Sequence, residues 1–204
     1  MPPRVDTRQR LIESAVELIH ERSYASVGVT AICQHAGVQK GSFYHFFPSK
    51  HDLALAAIEA MIDHYDRVVF KPSLSIDGPA LDRIERVFAR AWSDQLATTN
   101  EANRLPGCQL GNLAAELGAQ DESIRMRLQA AFDHFEEQLE QSLDQGGPSP
   151  EPRAEASLVS QAVFAYLQGV LLLAKTANDP DLILRLAPFV RDLVSPTVLT
   201  PAAP

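Results

Sequence analysis

Residues 40–50 combine basic, hydroxyl and aromatic side chains in one short span, a combination suited to contact with a polyanion. At helical spacing Phe43 and Phe47 share one face, where they can pack on neighbouring helices. Tyr44 lies about 100° from Phe43 around the helix and is predicted to point outward, where its hydroxyl can contact a phosphate. The exposed face is predicted to carry the remaining polar residues, which are Lys40, Ser42 and His45.

Two further residues of this span suit close approach to a negatively charged surface. Gly41 has no side chain, so the backbone can come near a binding partner. Lys50 begins the next predicted helix, whose N-terminal N–H groups attract anions. We therefore predict that Lys50 reaches a phosphate.

Cys108 is the residue with the clearest reactive potential. Pro106 and Gly107 place it at or near the first turn of a predicted helix, where unpaired N–H groups and the helix dipole favour a thiolate. A thiolate is the form that electrophiles and oxidants attack. Three roles are open for Cys108: covalent sensing, lining of a binding pocket, or a purely structural part. Cys33 is predicted to be a small buried residue.

The residues before Lys40 predict the element that positions the polar face. One short helix runs from about Thr30 to Ala36 and ends at Gly37, a residue free to take positive φ. Thr30 is predicted to cap this helix and to lie among the residues that contact the polyanion. A second short helix follows from about Lys40 to Phe46. Two such helices have the dimensions of a helix-turn-helix, and the alternative is an aromatic-rich hairpin without a nucleic-acid role.

The whole chain is predicted to be all-α, because apolar residues recur at helical spacing and no long alternating run of β-branched residues occurs. Loops are predicted at the Pro- and Gly-containing stretches 72–79 and 100–107, and a flexible linker at 146–150. The predicted longer helices cover residues 7–21, 49–68, 80–98, 108–117, 122–145, 152–176 and 180–194.

Charge is unevenly distributed along the 204 residues, of which 46% are hydrophobic and 22% charged. Residues 1–50 carry six Lys or Arg and four acids, a net charge of +2. Because the whole chain has a net charge of −8, the remaining residues carry −10. A mildly basic head on an acidic body suggests that only the head meets a polyanion. Neither a membrane span nor a signal peptide is expected.

The cysteines and other potential ligands give no indication of a metal or cofactor. Two cysteines are too few for a disulfide scaffold, which makes a reduced, cytoplasmic location the default. Neither cysteine lies in a CxxC or Cys/His cluster, so no metal site and no cofactor are predicted.

Residues from Thr7 to about Ile58 resemble the DNA-binding domain of TetR-family transcriptional repressors. The resemblance implies a homodimer of two-domain subunits. It divides the chain into a helix-turn-helix domain (1–50), an effector-binding and dimerisation domain (51–195) and a disordered tail (196–204). The matching elements are Ile32, Ala36-Gly37-Val38, Lys40-Gly41-Ser42, Phe43-Tyr44, Phe46, Ser49-Lys50 and Leu53.

By position, the resemblance assigns roles within the head. It implies that Tyr44 and Lys50 hold the DNA backbone and that Arg4 and Arg8 reach neighbouring phosphates or the minor groove. The residues that would face DNA are Lys40, Gly41, Ser42 and His45. The chain departs from many family members at Gly28, where Thr is common, and at Cys33, where a small residue is usual.

The body resembles, over residues 106–116 and 124–128, a TetR branch that responds to reactive electrophiles or small unsaturated acids. Lys175 can lower the pKa of the Cys108 thiol or pair with an acidic effector if folding brings it near; the alternative is a cation that complements a helix C-terminus. Other candidates for the effector pocket are Trp92, Asn112, Phe132, Phe135 and Tyr166, although aromatic residues at helical spacing are more often simple core.

Two strongly apolar helices near the C-terminus predict a dimer interface, since a lone subunit rarely leaves such faces exposed. One predicted face consists of Ala156, Val159, Val163, Tyr166, Val170 and Leu173, and the other of Leu182, Leu186, Phe189 and Leu193. A dimer would present two DNA-reading helices to a palindromic operator.

The leading hypothesis is a ligand- or electrophile-responsive repressor without membrane association or enzymatic activity. Two alternatives stay open: a helical enzyme with Cys108 as its nucleophile, and a DNA-binding regulator without a small-molecule effector. The sequence shows no convincing general base for the enzyme, because His134 is the only histidine in the later body.

Overall fold

The computed structural model describes residues 6–99, 103–144 and 153–194, and every regular element in these ranges is helical, which confirms the all-α prediction. A π-helical segment, Asp66–Phe70, joins α4 to α5, and a 3-10 turn, Ala187–Phe189, joins α10 to α11. The α-helices are α1 Thr7–Glu21, α2 Val29–His35, α3 Lys40–Phe46, α4 Lys50–Tyr65, α5 Lys71–Leu74, α6 Ala80–Ala97, α7 Gln109–Leu117, α8 Glu122–Asp144, α9 Arg153–Ala177, α10 Asp181–Leu186 and α11 Val190–Val194.

Two helix boundaries differ from the prediction. The predicted loop 72–79 begins later, because Pro72 lies in the first turn of α5, where a missing N–H costs nothing. The predicted helix 180–194 is interrupted at Ala187–Phe189, where Pro188 cannot donate to the preceding turn. Arg4, the predicted linker 146–150 and the predicted tail 196–204 lie outside the described residues.

The first of two compact units, Met1–His64 with Gln109–Gln129, contains α1–α4, α7 and the start of α8. Its core is built by apolar positions at helical spacing, and Ser49 caps α4 by accepting the Asp52 N–H at 3.2 Å. The fully buried large side chains of this unit are Leu11, Ile32, Phe43, Leu53, Ile58, Met61, Leu110, Ile124 and Leu128.

The second unit comprises Tyr65–Cys108 and Ala130–Pro204. Phe135 lies at its centre, stacked on Phe70 with ring centroids 4.4 Å apart and packed edge-on against Tyr65 at 6.4 Å. Ile84 and Phe88 of α6 complete the core, and both are fully buried.

Helix α9 is apolar enough over Ala156–Ala177 to meet the length and hydropathy of a membrane span, which the sequence analysis did not anticipate. A third of this stretch is buried within the protein. One such helix is weak evidence for a membrane, because core helices of water-soluble proteins meet the same criterion.

Candidate nucleic-acid interface and effector site

The turn between α2 and α3 is fixed by a glycine and an arginine. Gly37 adopts φ +61°, a conformation that residues with a Cβ rarely take. The Arg10 guanidinium of α1 donates to the carbonyl oxygens of Ala36 and Gly37, and its Nη2 lies 2.9 Å from the Gly37 oxygen. Because Arg10 binds both carbonyls, α1 holds the turn that sets the angle between α2 and α3.

Thr30 does not cap α2, contrary to the prediction. The helix begins at Val29, and Gly28 occupies the N-cap position in an extended conformation without a side-chain hydrogen bond. Thr30 lies exposed within the first turn, so its hydroxyl is on the surface. A DNA contact by Thr30 stays a prediction.

Helix α3 separates its aromatic and polar residues onto opposite faces, as its spacing predicted. Phe43 is fully buried and Phe47 nearly so, whereas Tyr44 is 52% exposed. The predicted DNA-facing residues all lie on the exposed side, namely Lys40, Gly41, Ser42 and His45. A Cβ added at Gly41 would meet no atom within 4 Å, so the protein's own packing does not require glycine there.

Lys50 points into the protein instead of lying fully in solvent. Its ammonium donates to the carbonyl oxygens of Tyr24 at 2.9 Å and Val27 at 3.0 Å, and lies 4.0 Å from the centre of the Tyr24 ring. Burial lowers the pKa of Lys50, and the negative charge of Glu116 partly offsets this effect. Two of the three ammonium N–H bonds are thus used internally, and a phosphate contact by Lys50 stays a prediction.

Sequence reasoning missed two acidic residues that bind the first unit together. The Glu116 carboxylate accepts the backbone N–H groups of Tyr24 and Ala25, and Asp121 pairs with His51 at 3.2 Å. The contacts with Tyr24, Ala25 and His51 follow no local motif, because these partners are at least 70 residues away in the sequence. Asp121 alone has a local signal, since it also accepts the Ile124 N–H at the start of α8.

Cys108 directly precedes α7, which starts at Gln109. The adjacent Gly107 is held by the buried Gln95, whose side chain accepts the Gly107 N–H at 2.8 Å and donates to its carbonyl at 3.3 Å. The aliphatic stem of Lys175 packs against Gly107, since a Cβ added there would lie 2.8 Å from Lys175 Cδ. The fold therefore brings Lys175 to the residue next to Cys108.

Four of the other candidate effector residues make packing and hydrogen-bond contacts within the second unit. Trp92 donates to Asp181 at 3.1 Å, and the Tyr166 hydroxyl donates to the Leu186 carbonyl at 2.8 Å. Phe132 packs on Phe164 with centroids 5.5 Å apart, and Phe135 is buried in the core. Asn112 belongs to the first unit and is half-buried on α7. Contact of these residues with a ligand stays a prediction.

A groove of about 380 Å³ lies elsewhere in the second unit, along α6 and the region of α10. None of the predicted effector residues lines it; its walls are Asp82, Glu85, Arg86, Ala89, Leu184, Ala187 and Pro188. Among the residues that the structure describes, no group of His, Cys, Asp or Glu is arranged to hold a metal ion.

Asp66 forms a buried polar cluster that the sequence analysis did not identify. Its carboxylate accepts hydrogen bonds from Lys71 at 2.8 Å, Gln138 at 2.8 Å and His134 at 3.1 Å. Burial raises the pKa of Asp66, but these hydrogen bonds outweigh burial and hold the pKa below its ordinary value. The wide π-helical turn is what brings Asp66 and Lys71 together.

Two family profiles match the chain. The profile described as bacterial regulatory proteins of the tetR family matches residues 11–57, and the C-terminal domain profile of LmrA/YxaF-like transcriptional regulators matches residues 81–188. The chain is also 31% identical over 175 residues to the transcriptional regulator AcuR of Cereibacter sphaeroides, a match that covers 85% of this chain and 78% of that protein. The chain belongs to the TetR family of transcriptional regulators.

Further relatives agree with this assignment. The HTH-type transcriptional regulator LmrA of Bacillus subtilis is 29% identical over 190 residues, which cover 93% of this chain and 97% of that protein. The crystal structure of reduced E. coli NemR matches with a TM-score of 0.72 and 25% identity, over 97% of this chain and 100% of that one. The relatives and the TetR family are transcriptional regulators, which are not enzymes.

The exposed face of α9 in this TetR-family chain is rotated from the one predicted for dimerisation. Val163 and Val170 of the predicted face are buried in the second unit, whereas Leu173 of that face is 54% exposed. Helix α9 packs on α10 and α11 within the same subunit. Over residues 156–177, α9 exposes the polar Gln161 and Thr176 together with seven residues without polar side chains, which are Leu158, Ala162, Ala165, Gly169, Leu172, Leu173 and Ala177.

Proposed function

We propose that the protein is a cytoplasmic, dimeric TetR-type repressor that binds a palindromic operator and is released by an effector in its C-terminal domain. The observation that carries this proposal is α3, whose packed aromatic residues support an exposed polar face. In a helix-turn-helix the second helix reads bases in the major groove while neighbouring groups bind phosphates. Lys40, Ser42 and His45 are suited to base edges, and Tyr44 to the backbone.

The exposed face of α9 supports dimerisation. Leu158 and Leu172 are 58% and 61% exposed, although both are large and apolar. Between them lie Ala162, Ala165 and Gly169, whose small size lets another helix come close. Exposed Phe189 adds a second apolar contact. Contact between two copies of this surface would remove it from water.

Cys108 is the proposed site of effector action. In the reaction we propose, the Cys108 sulfur adds to an electrophilic carbon–carbon double bond, forming a C–S bond as the π bond breaks. The thiol proton is lost to solvent, and a proton is returned to the neighbouring carbon. The added group has to be accommodated beside Gly107, where Lys175 already packs. Steric pressure at this point favours a different position of the residues that lead into α7.

Release requires the effector to favour the state that does not bind DNA. An effector changes DNA affinity only through its differential affinity for the two states, and couplings of roughly 1–3 kcal/mol are usual. A coupling in this range would weaken operator binding by about 5- to 150-fold.

The test is operator binding of the full chain to the DNA fragment upstream of its own gene, with and without N-ethylmaleimide. Wild type, Cys108→Ser and Cys33→Ser are compared, and mass spectrometry verifies which cysteine is alkylated. We expect wild type and Cys33→Ser to be released, and Cys108→Ser to stay bound. Full release of Cys108→Ser would exclude Cys108 as the sensor. Tight binding of alkylated wild type would favour a non-covalent ligand or a regulator without an effector.

A further inference from the structure

The connection between α1 and α2, residues 22–28, is held in place by a residue from α7. Glu116 Oε2 accepts the Tyr24 N–H at 2.9 Å, and Oε1 accepts the Ala25 N–H at 2.8 Å. One carboxylate thus binds two consecutive backbone donors in a charge-assisted arrangement, which is stronger than hydrogen bonds between neutral groups. Glu116 is the penultimate residue of α7, so the end of α7 is attached to the head.

Lys50 of α4 binds the same connection through its carbonyl groups. The Lys50 ammonium donates hydrogen bonds to the carbonyl oxygens of Tyr24 and Val27. Val27 immediately precedes Gly28, which is the N-cap residue of α2. The backbone from Tyr24 to Val27 is therefore bound by a carboxylate on its N–H side and by an ammonium on its carbonyl side. Its position fixes where α2 begins.

The junction between α7 and α8 contacts the head at a second point. Asp121 caps α8 by accepting the Ile124 N–H at 3.0 Å, and its other oxygen pairs with His51 at the start of α4. The Ile124 hydrogen bond, followed by those from Ser123 and His51, lowers the pKa of Asp121 and keeps it ionised. Asp121 thus contacts the start of α4, whereas Glu116 hydrogen-bonds directly to the α1–α2 connection.

The same helix begins next to the candidate sensing residue. Cys108 is joined by one peptide bond to Gln109, the first residue of α7. The distance along α7 from Cys108 to Glu116 is about 12 Å at 1.5 Å per residue. A helix of this length moves as a unit, so a displacement at its first turn also displaces Glu116.

We propose that Glu116 is the positioning residue through which α7 controls the helix-turn-helix. While Glu116 accepts the N–H groups of Tyr24 and Ala25, the first turn of α2 is held in the position that presents α3 to DNA. When α7 moves, both hydrogen bonds break and the α1–α2 connection is released on its N–H side. This inference rests on the proposed function, in which the effector acts at the start of α7.

The test uses Glu116→Gln, which keeps the side-chain length but removes the charge and one acceptor. Glu122→Gln is the matched control, because Glu122 is an exposed acid of the same unit that pairs only with Arg125 among the contacts described. Backbone amide exchange at Tyr24 and Ala25 is measured together with operator affinity, before and after alkylation by N-ethylmaleimide.

For Glu116→Gln we expect unchanged helix content, amide exchange at Tyr24 and Ala25 faster by about tenfold, and operator affinity weaker by about tenfold. Alkylation then changes its affinity less than twofold, because the connection is already released. Glu116→Asp keeps the charge on a shorter side chain, and we expect intermediate values. Glu122→Gln behaves as wild type in all measurements.

The role of Glu116 would be overturned if Glu116→Gln showed the same amide exchange rates at Tyr24 and Ala25 as wild type and was fully released from the operator by alkylation. If Glu116→Gln does not fold, the same measurements on Glu116→Asp decide. If alkylation does not release wild type, the sensing role of Cys108 fails, whereas amide exchange and operator affinity of the Glu116 variants still determine whether Glu116 positions the helix-turn-helix.

Discussion

Helices α3 and α9 both carry large apolar side chains at helical spacing, but they expose opposite kinds of surface. The exposed face of α3 contains Lys40, Ser42 and His45 beside the half-exposed Tyr44. The exposed face of α9 is mainly apolar, with Leu158 and Leu172 at either end of a row of small residues and the polar Gln161 beside them.

This contrast indicates what each helix meets. Cations, hydroxyl groups and an imidazole lose little when they exchange water for phosphates and base edges. Exposed leucines remain in contact with water unless a second apolar surface covers them. The sequence contains no charged residue from Ala156 to Ala174, so nothing in that stretch of α9 opposes contact with a second copy.

The largest expected effect on association comes from placing a charge on the α9 face. Leu172→Glu should raise the dissociation constant of the dimer by about 100-fold or more, because the interface would have to bury a carboxylate. Sedimentation at micromolar concentration measures this constant. Met126→Glu on α8 is the matched control, since Met126 is 59% exposed and belongs to the first unit, whereas Leu172 belongs to the second. A dimer of wild-type strength in Leu172→Glu would place the interface elsewhere.

The largest expected effect on stability comes from removal of the aromatic support of α3. Phe43→Ala is expected to destabilise the first unit by about 3–5 kcal/mol, because the fully buried ring leaves a cavity. Tyr44→Phe should change the unfolding free energy by less than about 0.5 kcal/mol and instead weaken binding to all DNA sequences alike. Urea unfolding and DNA titration measure the two effects. Equal destabilisation by both variants would contradict the separation of the two faces.

The buried polar cluster of the second unit should respond to pH in a way that the exposed residues of α3 do not. Asp66→Asn is expected to cost about 1–3 kcal/mol of unfolding free energy at pH 7. Because the folded-state pKa of Asp66 is lowered, its contribution is fully present above the ordinary value of about 3.9 and is lost as the pH falls through the folded-state pKa.

Urea unfolding of wild type and Asp66→Asn between pH 7 and pH 2 tests this expectation. The stability difference should shrink as the pH falls below about 4. Glu137→Gln, at an exposed position of α8, serves as the control and should show a much smaller difference. A difference that grows under acid conditions would show that hydrogen bonding does not lower the pKa of Asp66.

The smallest effect on stability is expected on the exposed face of α3. Gly41→Ala should raise the unfolding free energy by up to about 1 kcal/mol, because alanine is the better helix former and no neighbour lies within 4 Å. Operator affinity should nevertheless fall, since a methyl group would hold the backbone away from DNA. Thermal unfolding and operator titration distinguish these outcomes. Unchanged affinity would remove Gly41 from the interface.

The head was largely predictable from its sequence because its determinants are local. Gly37 allows the turn, and the spacing of Phe43 and Phe47 decides which side of α3 is buried. Ser49 lies at the start of α4, where its type indicates a cap. Each of these features depends on residues within a few positions, so helical periodicity and turn chemistry are sufficient to identify it.

The body was less predictable because its faces depend on partners distant in the sequence. The apolar stretch of α9 has several possible faces, and only its packing within the second unit decides that Val163 and Val170 are buried. Likewise, a lysine at the start of α4 suits a phosphate, but the tertiary structure directs Lys50 to two backbone carbonyls.

The sequence by itself determined the all-α fold, the helix-turn-helix and the polar face of α3, since these follow from residue types at fixed spacing along one helix. The tertiary structure decided that Lys175 packs against Gly107, that Glu116 binds Tyr24 and Ala25, and which face of α9 is exposed. Such contacts join residues far apart in the chain, and which of many possible partners meet depends on the packing of the complete core.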